Sequence, residues 1–130
     1  MKKRKGMNSK MLQRNVYEWL RIGNDWTLKD MCTVFNVKLE DLTPLNRKRE
    51  YVTARMFIYA YLYAKGKTLH QIADMFNRDH ATVLHSITKL KDLIEVKDNE
   101  TMLYLTDLRS GSENALKVML SEWEELDHVL

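Results

Sequence analysis

Between Val52 and Ala64 the chain reads VTARMFIYAYLYA, apolar on nearly every face of a helix. A helix without a polar side must be buried on most sides, so the rest of the chain has to wrap around it. Tyr59, Tyr61 and Tyr63 within this run are expected as core or rim residues with satisfied hydroxyls rather than as a stacking platform. Lys65-Gly66-Lys67 then supplies a glycine and two cations where a helix C-terminus favours them. The central helix is therefore predicted to end there.

The wrapping material is expected to be helical too. Four glycines and one proline in 130 residues are too few for the turns of a sandwich or barrel. The apolar share of 45% allows one core of ordinary size, and the length fits a single domain. The longest apolar run, Met56 to Ala64, falls far short of the roughly 20 residues that span a bilayer. The start MKKRKGMNSK is basic but is followed by no apolar signal core, so export is not expected. Cys32 stands alone and reads as a small buried hydrophobe in a reduced, cytoplasmic setting. No catalytic spacing of serine, cysteine or carboxylates is evident, no phosphate-cradling glycine loop is present, and no third ligand joins His80 and His85. Enzyme, metal and cofactor readings are accordingly set aside.

Charge is distributed unevenly. Residues 1–91 carry 18 Lys+Arg against 8 Asp+Glu, whereas residues 92–130 carry 3 against 10. A body at +10 with an end at −7 suggests a polyanion-binding domain with a separate tail. The expected division is a flexible basic arm over 1–10, the polyanion-binding domain with an extra N-terminal helix over 11–95, and an acidic helical extension over 96–130.

Within the body, Met11, Leu12, Val16, Trp19 and Leu20 mark a helix ending near Gly23-Asn24. Thr27 precedes a second, carrying Leu28, Met31, Cys32 and Phe35 and stopping near Asn36. Leu39 to Leu42 reads as a single turn broken at Thr43-Pro44, and Asn46-Arg47-Lys48-Arg49 as a basic loop. Residues 68–90, TLHQIADMFNRDHATVLHSITKL, have the pattern of a helix-turn-helix. Thr68 caps a helix with Leu69, Ile72, Ala73 and Phe76 on one face, and Asn77-Arg78 breaks it. Asp79 caps a second whose inward stripe is Val83, Ile87, Leu90 and Ile94. At about 100° per residue, Ala81, Thr82, His85 and Lys89 face outward, with Asp79 and His80 at the tip. These are positions from which a recognition helix meets base edges. Thr82 offers a hydroxyl and a methyl, Ala81 an apolar contact, Asp79 an acceptor for a cytosine amino group or only a cap, and the histidines donors. Lys89 can neutralise a phosphate.

The run RDHATVLHSITKL, Arg78 to Leu90, closely resembles the signature of the DNA-binding domain of the bacterial replication initiator DnaA. The resemblance extends upstream through FNVKLEDL, the basic loop and Arg55, covering roughly residues 28–95. It implies a Trp-repressor-like all-α fold that binds short asymmetric boxes in double-stranded DNA. It further implies that Arg47, or Arg49 in its place, enters the minor groove and that Arg55 holds a phosphate. Asp79, His80, Thr82 and His85 would face the major groove, with Lys48, Arg78 and Lys89 adding to the minor-groove and phosphate contacts. Three departures stand out. Ala81 replaces a second hydroxyl residue, Met56 occupies a place where a polar phosphate contact is common, and Asn77 shortens a glycine pair. No GxxxxGK[ST] loop is present. The expectation is a DNA reader without an ATPase or bound nucleotide, of a kind that a phage or mobile element could encode, acting in the cytoplasm at the nucleoid (the host's, if phage-encoded).

Leu116, Met119, Trp123, Leu126 and Leu130 form a short heptad stripe among acids, within a final helix over about 113–129 that follows one over about 100–109. That last helix either packs back on the domain or serves a second copy or protein partner. The competing function is an adaptor that acts on a replication initiator through the same fold and the acidic helix, with weak DNA affinity.

Overall fold

The structure, a computed structural model, describes residues 9–23, 26–44 and 46–110, with side chains from Asn15 onward. Among the described residues six α-helices follow in order: α1 Ser9–Leu20, α2 Leu28–Phe35, α3 Arg49–Ala64, α4 Leu69–Phe76, α5 His80–Glu95 and α6 Asn99–Ser110. A single 3-10 turn, Leu39–Asp41, lies between α2 and α3. The all-α expectation is met, and no strand occurs among the described residues. No helix among them is long and apolar enough to cross a membrane. The basic arm up to residue 8, the predicted helix over 113–129 and the stripe Leu116, Met119, Trp123, Leu126 and Leu130 lie outside the described residues.

α3 is the axis. Eleven consecutive residues, Thr53 to Tyr63, are buried, and α1, α2, α4 and α5 all pack on it. It begins at Arg49, three residues ahead of the apolar run, so Arg49 is helical rather than part of the loop. Glu50 sits in the first turn, where the positive end of the helix dipole favours an acid. α1 likewise differs from the expected bounds, taking in Ser9 and Lys10 and ending at Leu20, where Arg21 turns left-handed at φ 54°.

Local chemistry sets the other helix boundaries. Thr27 Oγ1 accepts from the Asp30 amide at 3.0 Å, and Thr68 and Gln71 form a reciprocal capping box. Asp98 Oδ2 accepts from both the amide and the hydroxyl of Thr101. At the C-termini, Asn36, Gly66, Asn77 and Lys97 take positive φ. In each case the following amide donates back to the carbonyl five residues earlier, at 2.9–3.1 Å, satisfying groups that the helix leaves open.

Trp26 ties the outer helices to the axis. The Tyr61 hydroxyl donates to the Trp26 carbonyl at 2.8 Å and accepts from its amide at 3.1 Å. The Trp26 indole donates to the Leu108 carbonyl of α6 at 3.1 Å. Arg109 closes the end of α1, donating from Nε to the Leu20 carbonyl and from Nη2 to that of Trp19. α6 also contributes Leu105 and Leu108 to the core, and Tyr104 stacks on Phe35 with ring centroids 4.8 Å apart. Tyr59, Tyr61 and Tyr63 are all buried. The expectation of satisfied hydroxyls holds for Tyr61 but needs correction at Tyr59. Its ring packs edge-on against Phe76, and its hydroxyl finds no hydrogen-bond partner. Burial of the ring leaves that oxygen without a bond even though the charges of Arg55 and Arg78 act on it.

These contacts predict contrasting substitutions. Tyr61→Phe strands the Trp26 amide and carbonyl and should cost about 1–3 kcal/mol, while Tyr59→Phe should leave stability nearly unchanged. Leu108→Ala should cost about 2–5 kcal/mol through the cavity it opens beneath α6. Urea unfolding of the three variants measures all of this, and equal losses in the two tyrosine variants would contradict the assignment.

Candidate nucleic-acid interface

The two helices of the predicted motif form as expected. α4 buries Ile72, Ala73 and Phe76, and α5 buries Val83, Ile87 and Leu90. Ala73, 3% exposed, has the small side chain that lets α4 and α5 approach. Between them Asn77 adopts φ 53°, ψ 50°. Asparagine tolerates this left-handed geometry through its short polar side chain.

Burying one face of α5 leaves the other in solvent. Ala81, Thr82, His85 and Lys89 are all exposed, with exposed Asp79 and His80 at the leading end. Ile94, expected inward, is half-buried. Asp79 caps the helix, its Oδ1 accepting from the Thr82 amide at 2.7 Å. The Thr82 amide and then its hydroxyl hold the Asp79 carboxyl below its ordinary range, with smaller help from His80 and the Ala81 amide against slight desolvation. Thr82 is thus part of the cap as well as of the ridge.

His70 was not singled out in the sequence. It stands exposed on α4, and its ring lies 4.4 Å from that of His80, tilted by 41°. The pair widens the polar tip of the motif. No periodicity links positions 70 and 80, because only the α4–α5 turn brings them together. Leu84 is a second omission, a large apolar side chain 39% exposed on the same helix as the ridge.

The predicted cations divide by environment. Arg47 and Lys48 are exposed in the loop before α3. That loop is shaped locally, since Asn46 Oδ1 accepts from the Lys48 amide at 3.0 Å. Arg49 is exposed and pairs through Nε with Glu100 of α6 at 2.9 Å. Lys89 borders a cleft of about 300 Å³ that Arg49, Thr53, Met56, Asp98 and Glu100 also line. Met56, 5% exposed, is a core residue at that cleft.

Arg55 and Arg78 are placed differently. Arg55 is 8% exposed; its Nη2 donates to the Asn46 carbonyl at 2.6 Å, and its Nη1 is buried without a partner. Burial lowers the affinity of its guanidinium for the proton, and Arg78 adds to this against a favourable contribution from Tyr59. Arg78 is half-buried and donates to the carbonyls of Thr43, Pro44, Phe76 and Asn77. Cys32 is buried, and burial pushes its thiol up, which suits a core residue. No cluster of three metal-binding side chains occurs among the described residues.

A capped helix with a solvent-facing polar ridge, docked across a second short helix, defines this region as a helix-turn-helix domain. Residues 28–90 match the family model described as the bacterial DnaA protein helix-turn-helix. The chain is 33% identical over 81 residues to the chromosomal replication initiator protein DnaA of Pseudothermotoga lettingae, covering 62% of this chain and 18% of that protein. It is 34% identical over 86 residues to DnaA of Thermus thermophilus, covering 65% and 20%. Against DnaA 1 of Chlamydia muridarum, identity is 24% over 115 residues, covering 87% and 24%. The chain thus spans about a fifth of the length of the curated relatives it matches. No solved structure matches the chain.

The Asp79 cap carries a pH signature. A carboxyl depressed in the folded state contributes stability above the unfolded value of about 3.9 and loses it as pH falls through the lower folded value. Asp79→Ala should lower the melting temperature at pH 7, whereas Asp79→Asn should keep most of the cap and flatten the loss below about pH 4. Melting curves between pH 3 and 7 test this. An Asn variant as acid-sensitive as the wild type would show that other carboxylates dominate.

Proposed function

We propose that this chain reads double-stranded DNA in a sequence-dependent way, at boxes of the kind found in replication origins. The observation that carries the proposal is the exposed ridge of α5, opposite a buried stripe and led by Asp79 and His80. An α-helix fits the major groove of B-form DNA, and residues of its first turns reach the base edges. Ala81 and Thr82 offer methyl groups to thymine, and His80 and His85 donate to base acceptors. Asp79 combines capping with acceptance from a cytosine amino group. Arg47 and Lys48, carried on the shaped loop before α3, serve the minor groove and the adjoining phosphates. Arg49 and Lys89 add cations along the backbone.

The relatives named above are replication initiators, and residues 28–90 of this chain match the helix-turn-helix model of that family. The proposed role is binding rather than catalysis, without a bound nucleotide or metal, in the cytoplasm at the nucleoid. Ala81 in place of a hydroxyl and Asn77 in place of two glycines favour a box that differs in detail from the standard one.

The test is selection of bound duplexes from a random pool at two salt concentrations. An enriched short motif, with affinity falling steeply as salt rises, is the expected result. Thr82→Ala and His80→Ala should each cost about 1–3 kcal/mol at particular base pairs, and Lys89→Ala should weaken all duplexes evenly while reducing the salt slope by about 1. Failure to bind any duplex at low salt, with a replication protein captured instead, would favour the adaptor role.

A further inference from the structure

The side chain that joins the two reading elements is Arg78, in the turn one residue before the Asp79 cap. Nη1 donates to the carbonyls of Thr43 at 2.9 Å, Phe76 at 3.0 Å and Asn77 at 3.1 Å, and Nη2 to that of Pro44 at 3.3 Å. Phe76 and Asn77 end α4, where carbonyls lack helical partners and a cation is favoured. Thr43 and Pro44 lie more than thirty residues earlier and lead directly into the segment carrying Arg47 and Lys48. That segment is held again at Asn46, immediately before Arg47, where Arg55 Nη2 donates to the Asn46 carbonyl. One guanidinium therefore fastens the start of the basic loop to the turn that launches α5.

We infer that Arg78 is a positioning residue rather than a phosphate contact: it fixes the basic loop relative to the recognition helix before DNA arrives. The inference rests on the DNA-reading function proposed above and names how its two halves are kept in register. A planar fork spread over four carbonyls is committed by its geometry. Moving it to a phosphate would leave the carbonyls that end α4 open and release the loop. Fixing both contacts in advance removes the ordering entropy that binding would otherwise have to supply.

The experiment uses the full chain and has two readouts. In the absence of DNA, trypsin cleavage after Arg47 and Lys48 is timed against cleavage after Lys89 and Lys91 within α5, which reports global unfolding. Arg78→Ala and Arg78→Lys should each raise cleavage in the loop at least tenfold relative to the α5 sites. With a duplex enriched by selection, both variants should bind about tenfold more weakly. In an Arg47→Ala background, the Arg78 substitution should cost less than twofold, because its effect runs through the loop. Wild-type cleavage and affinity in Arg78→Lys, with the Ala effects at 47 and 78 multiplying, would overturn the inference and make Arg78 an ordinary phosphate contact. Because cleavage needs no ligand, a wild-type chain that ignores every duplex counts against DNA reading alone. Accelerated loop cleavage in the same preparation would still support the clamp.

Discussion

Burial of α3 on every side is the constraint from which the rest of the architecture follows. A helix with eleven consecutive buried residues has no solvent face to orient it. Its position must come from the helices around it and from the few polar groups it carries inward. Tyr61 is one of these, fastening the segment before α2 through both backbone groups of Trp26. Arg55 is another, reaching the Asn46 carbonyl at the loop. α5 is then held against the axis by Val83, Ile87 and Leu90. The exposed ridge is what remains once that stripe is buried, so the reading surface is a consequence of core packing rather than a separate design.

The turn that aims α5 depends on a different kind of constraint. Asn77 occupies a left-handed conformation, and the Arg78 amide returns to Ala73 at 2.9 Å. The Arg78 guanidinium then extends the same turn outward to Thr43 and Pro44. Backbone closure by the amide and long-range closure by the side chain thus come from one residue. Loss of the side chain opens the Phe76 and Asn77 carbonyls and frees the distant loop, while the backbone closure of the turn remains.

Much of this was legible in the residues. The all-round apolar run announced α3, and period-3.6 stripes with Thr or Asp caps announced α2, α4 and α5. The outward set on α5 followed from counting alone. What periodicity could not supply was contact between distant segments. The start of α3 at Arg49, with Glu50 in its first turn, lies ahead of the apolar run. The His70–His80 pair arises from the fold of the turn. The reach of Arg78 to residue 43 leaves no trace in local spacing, and the unpartnered Tyr59 hydroxyl shows only when its neighbours are known.

The same distinction changes how the basic character of the body should be weighed. A balance of +10 over residues 1–91 suggests a broad field attractive to phosphate. Several of those charges are nevertheless engaged within the protein. Arg55 is buried against the loop, Arg78 is spread over four carbonyls, and Arg49 meets Glu100 across α3 and α6. Exposed Arg47, Lys48 and Lys89 are free of such commitments in the bonds and ion pairs seen here, and counterion release on binding depends on charges of that kind. The Arg49 pair is exposed and worth little in water, so a phosphate can compete for it. The arginines inside the fold instead fix where the outer cations stand, and so determine geometry more than affinity.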